Sequence, residues 1–246
     1  MTDGIKHGIH SRLEGAVWVI GIQRPDKRNA LTGAMFAALA ETLRLAQGDA
    51  RVHALLLHGT DDCFCAGHDL RDFGVLWPQA PDGAVVRCIE AFATQPKPLV
   101  AAVNGPAVGF GATLLLHADH VVAGDDAVFR FPFVDLGIVP EAGATALLAR
   151  RVGELRARDW LLSGRPVDSR EALRRGLVSQ RVAAAKVLDT AMERAALLAR
   201  KNASATTAIR RMLQAGSTDT AEGAIGRELA ALNQLIPAAW HLVPHA

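Results

Sequence analysis

FCAGHDL at Phe64 to Leu70 and NGPAVGFGATLL at Asn104 to Leu115 are the two stretches whose reading decides the fold. Each puts glycines where a buried strand gives way to a helix or tight loop. At such corners backbone N–H groups lack intrahelical partners, and no bulky side chain shields them. Two corners of this kind, facing one another, hold a single oxyanion, because preorganised donors stabilise charge that develops on a carbonyl oxygen. The competing reading is that the glycines only let helix and sheet pack closely.

Outward from these corners, continuous apolar runs alternate with helical patterns. The runs are Ala16 to Ile22 (AVWVIGI), Ala54 to His58 (ALLLH), Leu99 to Val103 (LVAAV) and His120 to Ala123 (HVVA). Unbroken rather than alternating apolar strands belong to sheets covered on both faces, which gives an α/β fold. Between the first two runs a helix is expected from Thr32, a good cap, with Met35, Phe36, Leu39 and Leu43 on one face. Phe73 to Gly83, with two Pro and two Gly, is expected to be a mobile loop over the site, followed by a helix at Ala84 to Thr94. After Gly143 the expected helices are Ala144 to Arg151, Glu154 to Leu162, Ser169 to Arg175, Val187 to Arg200, Ala205 to Ala215 and Thr220 to Leu235. A strand-like piece at Gly176 to Val182 interrupts them.

The 246 residues are half apolar, enough for one substantial core, and the net charge of +2 comes from scattered Arg without a continuous basic patch. Nucleic acid is therefore not an expected partner. No apolar stretch is long and uninterrupted enough to span a bilayer, so no membrane is expected either. Cys63, Cys65 and Cys88 are odd in number and lack paired spacing, and the first residues, MTDGIKHG, hold no apolar signal core. These features predict reduced thiols, a cytoplasmic location and no metal site. His58, His117 and His120 sit on apolar segments without a ligand set and are expected to be satisfied or surface histidines.

The chain resembles the crotonase superfamily, the enoyl-CoA hydratases and isomerases. The resemblance is carried by RPDKRNAL (Arg24 to Leu31), FCAGHDL, PKPLVAAVNGPAVGFGATLLLHAD (Pro96 to Asp119), FPFVDLGIVPEAGAT (Phe131 to Thr145) and LLSGRPVDSREALRRGLV (Leu161 to Val178). It implies a spiral of repeated ββα turns at residues 1–190 and a C-terminal helical oligomerisation region at 191–246, assembling as a homotrimer or dimer of trimers. Apolar Leu229, Leu232, Leu235 and Trp240 in the last helices suit such a partner. The substrates implied are acyl-CoA thioesters, with coenzyme A arriving as part of the substrate and no other cofactor.

Matched position by position, the resemblance implies oxyanion donors at the backbone N–H of His68, after Ala66 and Gly67, and of Phe110, after Gly109. Phe110 stands where many relatives have Gly, which leaves its amide usable unless φ there must be positive. Lys27 and Arg28 match phosphate-facing positions, with solvated surface charge as the alternative. Ala30, Ala66, His68 and Leu70 match the adenine and pantetheine path. Asp69 is expected to fix the oxyanion loop through backbone hydrogen bonds.

Thioester enolate chemistry also needs a base. Hydratases of the family use two glutamates on one water; the corresponding positions here are Thr113 and Phe133, neither a usable base. Glu141 in VPEAG instead matches the single acid of the isomerase branch, where one carboxylate moves a proton from C2 to C4 within an apolar surround that includes Phe110 and Phe133. Its alternative is an acid placed at a helix start by the dipole alone. Asp135 is the second candidate base. The expected activity is thus double-bond isomerisation, with hydration of a 2-enoyl-CoA by Asp135 or Glu141, or a non-catalytic CoA-binding role, as the alternatives.

Overall fold

The computed structural model describes residues 4–203, 205–210, 213 and 233. The chain begins with β1 (Gly4–Lys6), β2 (Ile9–Glu14) and β3 (Val17–Ile22), an antiparallel meander whose first turn is made by His7 and Gly8, both at positive φ. From β3 onward the main sheet is parallel. It continues through β4 (Ala54–His58), β5 (Leu99–Val103), β7 (His120–Gly124) and β10 (Gln180–Val182). A second sheet is made of β6 (Pro106–Val108), β8 (Val128–Arg130) and β9 (Val167–Asp168), in that order, with β6 and β8 parallel.

The apolar runs are continuous because the sheet is covered on both faces. Trp18, Ile20, Leu55, Leu57, Leu99, Ala101 and Val121 point into the larger core, which holds Met35, Phe36, Leu39 and Leu43 of α1 (Gly33–Gly48) and Val85, Ile89 and Phe92 of α3 (Ala84–Ala93). The alternate residues Val17, Val19, Leu56, Val100, Ala102 and Val122 meet Val187, Ala191, Ala195 and Ala199 of α8 (Val187–Ala199). The alanine stripe of α8 lets that helix lie close to the sheet. Leu56 is fully buried in the central strand between these layers. Leu56→Ala should cost about 2–5 kcal/mol of unfolding free energy, the usual range for emptying a packed core site, as read from a urea titration.

Strands β4, β5 and β7 of the large sheet each pass into a short segment of the second layer and then into a helix. After β4 the chain makes an isolated parallel bridge at Cys65 with Ala107 and enters α2 (Leu70–Leu76). After β5 it forms β6 and then α4 (Phe110–Thr113). After β7 it forms β8, a 3-10 turn at Val134–Leu136, α5 (Ala144–Val152) and α6 (Glu154–Ser163). These are three ββα turns of a spiral, and α7 (Ser169–Arg175) leads on to β10.

One expectation needs correction. The segment from Phe73 is not a loop throughout: Asp69 caps α2 by accepting the Arg71 N–H, Phe73 is buried, and the helix runs to Leu76 before the chain turns. The division expected at residue 190 falls inside α8, whose Ala191, Ala195 and Ala199 pack against the main sheet. Residues 205–210 are helical as expected, while Thr220 to Leu235 (save residue 233) and Trp240 lie outside the described residues, so the expected oligomer contacts do too. Among the described residues no helix is long and apolar enough to cross a membrane.

Candidate active site

The two glycine corners are pressed together. Gly67 has φ +89°, and a Cβ built there would lie 2.7 Å from the Val108 carbonyl oxygen and 3.4 Å from the Phe110 nitrogen. Only glycine admits this approach. The contact is framed by Val108 N–H donating to Cys65 O at 2.9 Å and by Gly111, whose missing side chain leaves room for the Cys65 carbonyl.

Leu31 fixes the direction of the first amide. Leu31 N–H donates to Gly67 O at 2.7 Å and Asp69 N–H donates to Leu31 O at 2.8 Å, which is a parallel bridge between Leu31 and His68. In such a bridge the intervening residue's own N–H points to the opposite side. For His68 that side is the flank on which Cys65 pairs with Ala107 and the second corner lies. Phe110 begins α4, so its N–H has no intrahelical acceptor. Among the described residues neither the His68 nor the Phe110 N–H donates to any protein group. Positive φ is carried by Gly109 (φ 55°, ψ −121°) and not by Phe110, so the phenylalanine costs the corner nothing in backbone strain.

Asp69 holds the first corner from behind. Its carboxylate accepts from Arg71 N–H at 3.0 Å and from Arg24 Nη1 at 2.6 Å, and Arg24 also donates to Ala30 O. Desolvation opposes its ionisation. The hydrogen bonds from Arg24 and Arg71 and the two guanidinium charges outweigh that and hold the carboxyl below its ordinary 3.8. A carboxyl depressed on folding stabilises the fold above its unfolded pKa, and that contribution is lost as pH falls through the folded value. Asp69→Asn should therefore flatten the loss of stability below about pH 4, measured as thermal midpoint against pH, while wild type keeps the steeper acid limb.

Glu141 lies across from α4 and is 2% exposed. The Thr113 hydroxyl, one turn beyond Phe110, donates to Glu141 Oε1 at 2.6 Å and also lies 3.2 Å from Phe110 O. The carboxylate is thus tied to the same short helix that presents the second amide. The backbone after it is unusual: Ala142 has φ +57° and Gly143 φ +71°. His117 pins this turn by donating from Nε2 to Ala142 O at 2.9 Å, and burial holds its imidazolium down to about 4, so the ring is neutral. A non-glycine residue held at positive φ beside a buried acid is the kind of strain that surrounding structure must enforce. Thr113→Val should lower kcat about tenfold with little change in KM, because it replaces the hydroxyl by a methyl at constant shape, and Thr113→Ser, which keeps the hydroxyl, should retain near wild-type kcat.

Asp135 is placed differently. It is half exposed, pairs with Arg130 Nη2 at 2.9 Å and lies against the Gly164 turn. Phe133 is buried, and its carbonyl accepts from Leu136 and Ile138. Lys27 and Arg28 are exposed, Ala30 and Ala66 half-buried, and Leu70 is 47% exposed. Ala66 N–H donates to Arg28 O at 3.0 Å, so these residues form one ledge running from solvent to the first corner.

Cys63 and Cys65 both donate their thiols toward residues 28 and 29, at 3.2 and 3.3 Å, and burial raises their pKa to about 11 and about 12. They brace the ledge. His58 Nδ1 meets Gly59 O at 2.8 Å, in keeping with a structural histidine. Sequence reasoning missed two features: the Thr113–Glu141 bond and the role of buried Asn29. Asn29 sits at φ 58° and donates to Cys63 O and Phe64 O at 2.7 and 3.2 Å. Neither had a local signal, because each joins residues about 30 apart in the chain.

A buried acid tied to the helix that presents one of two neighbouring amides, neither engaged by a described protein group, is an arrangement for enolising a carbonyl compound and holding the enolate. The enoyl-CoA hydratase/isomerase profile matches residues 12–239. The chain is 35% identical to the 1,2-epoxyphenylacetyl-CoA isomerase of Escherichia coli K12 over 220 residues, covering 86% of this chain and 84% of that protein. It is 36% identical to a probable enoyl-CoA hydratase of Rhodobacter capsulatus over 219 residues, 85% and 82% of the two chains. The solved structure of an enoyl-CoA hydratase/isomerase from Pseudoalteromonas atlantica T6c superposes with a TM-score of 0.90 at 33% identity, over 95% and 93% of the chains. This chain belongs to the enoyl-CoA hydratase/isomerase family, the crotonase superfamily, and its fold is that of the family.

Proposed function

We propose that the protein isomerises an enoyl-CoA, moving a double bond from C3 to C2 with Glu141 as the only acid–base group. The observation that carries this is the Thr113–Glu141 pair. Where a hydratase would place its first glutamate, this chain has a hydroxyl that supports the remaining carboxylate instead of a second group to activate water. The other hydratase position is Phe133, buried and apolar.

The thioester carbonyl oxygen accepts from the His68 and Phe110 N–H groups. Glu141 takes a proton from C2 of the 3-enoyl thioester, and the released electron pair delocalises over the diene onto that oxygen. The negative charge rests against the two amides. Glu141 then returns the proton at C4, the C2–C3 double bond forms, and the carboxylate is regenerated, so nothing is consumed. Thr113 keeps Oε1 in place throughout. Lys27 and Arg28, at the solvent end of the ledge, face the phosphates of coenzyme A, and Ala30, Ala66 and Leu70 line its path inward.

Hydration is the second reading because several similar proteins carry probable enoyl-CoA hydratase names. Incubation with a 3-enoyl-CoA and, separately, with a 2-enoyl-CoA distinguishes them. Isomerisation predicts conversion of the first to the 2-enoyl product; exclusive conversion of the second to a 3-hydroxyacyl-CoA would overturn it.

A further inference from the structure

The two residues that supply the amides also send their side chains into one aromatic cluster. The His68 ring lies 5.9 Å from Phe110, and Phe36 of α1 touches both, at 4.6 and 4.9 Å. Phe73 of α2 and Trp77 just beyond it close the group at 5.0 and 6.4 Å from His68. Within this apolar group three nitrogens are buried without a hydrogen-bond partner among the described residues: His68 Nδ1, His68 Nε2 and Trp77 Nε1. Buried polar atoms are nearly always paired, and three unpaired ones on two touching rings call for an explanation. Burial holds the His68 imidazolium down to about 3, so the ring is neutral, with one N–H donor and one acceptor nitrogen. With the Trp77 N–H, the cluster offers two donors and one acceptor.

We propose that this cluster is the acyl-group subsite and that it selects an acyl chain carrying a neutral oxygen function, a carbonyl, ether or hydroxyl, over a plain hydrocarbon chain. The assignment rests on the reading of the His68 and Phe110 amides as the thioester site, because it is their proximity that puts the acyl group against these rings. A hydrocarbon chain leaves all three nitrogens unpaired in the complex. An oxygen accepts from Trp77 Nε1 or from the His68 N–H, and a hydroxyl also donates to the free imidazole nitrogen. A carboxylate is disfavoured, since the rings of the cluster carry no cation to offset its desolvation. A site built to pair a polar group discriminates strongly against the analogue that lacks it.

The test uses saturated thioesters, which bind but cannot isomerise: hexanoyl-CoA against 4-oxohexanoyl-, 5-oxohexanoyl- and 6-hydroxyhexanoyl-CoA, with Kd from calorimetry. At least one oxygenated probe should bind about tenfold or more tightly than hexanoyl-CoA, and Trp77→Phe, which keeps the aromatic volume, should shrink that ratio several-fold. His68→Phe serves as the second variant should the first not fold. Equal or tighter binding of hexanoyl-CoA, or a ratio unchanged in the variants, would overturn the proposal. Failure of the isomerase reading has a separate signature, the absence of double-bond migration in 3-hexenoyl-CoA, and leaves these binding ratios untouched.

Discussion

Glu141→Gln should abolish most turnover of a 3-enoyl-CoA, lowering kcat by about 10³-fold or more while the Kd for a saturated acyl-CoA changes less than threefold. General acid–base catalysis by one group is typically worth 10²–10⁴, and here a single carboxylate both removes and returns the proton, so its loss affects both steps. Gln keeps the size of the side chain and accepts the Thr113 hydroxyl through its amide oxygen, so the buried packing around residue 141 survives. The measurement is steady-state kinetics beside calorimetric binding. Retention of more than a tenth of wild-type kcat would move the base elsewhere. Asp135 is the next candidate, although its pairing with Arg130 at the surface gives it no comparable burial. Full binding with no activity in wild type would instead favour a CoA-binding role without chemistry.

Gly67→Ala carries the second large effect. The new methyl would sit 2.7 Å from the Val108 carbonyl oxygen, which is backbone and cannot step aside as a side-chain tip would, and φ is +89°. The two corners must then separate, and a donor moved by about an ångström loses most of its value to a developing oxyanion. A fall of about 10²–10³ in kcat is expected, the usual loss for one oxyanion donor, with KM changed far less. Gly109→Ala makes the useful comparison: no described atom lies within 4 Å of its Cβ position, so its penalty comes from the backbone conformation alone. Circular dichroism shows whether each variant keeps the fold. A folded Gly67→Ala with near wild-type kcat would mean that the contact between the corners is only packing.

Strands β3, β4, β5 and β7 were legible because burial on both faces writes itself as unbroken apolar runs; Val17–Ile22, Ala54–His58 and Leu99–Val103 are buried nearly throughout, whereas β1 and the half-exposed β2 carry no such run and went unread. The helix after Thr32 was legible from its cap and its apolar face, and α7 from its flanking residues. The second sheet was not. Its strands are three, three and two residues long, too short to show any period, and their pairing is set by the spiral and not by their composition. The helix α2 was hidden by Gly74 and Pro78, which argue for a loop, while Asp69 and buried Phe73 decide the matter through capping and packing.

The site divides in the same way. The glycine corners are local features, and their sequences announce them. That the His68 and Phe110 amides face one flank depends on the Leu31 bridge and on the Cys65–Ala107 pairing, which join distant segments. Thr113 was legible only as a lost glutamate position. Its role as the partner of Glu141 needed the fold to bring residues 28 apart into contact.

The central claim is tested most directly by a crystal structure with a bound acyl-CoA, read at the thioester. The account predicts the carbonyl oxygen about 2.7–3.1 Å from both His68 N and Phe110 N, with a Glu141 carboxylate oxygen alongside C2 and C4. A carbonyl bound away from either amide, or a carboxylate other than Glu141 beside those carbons, would contradict it.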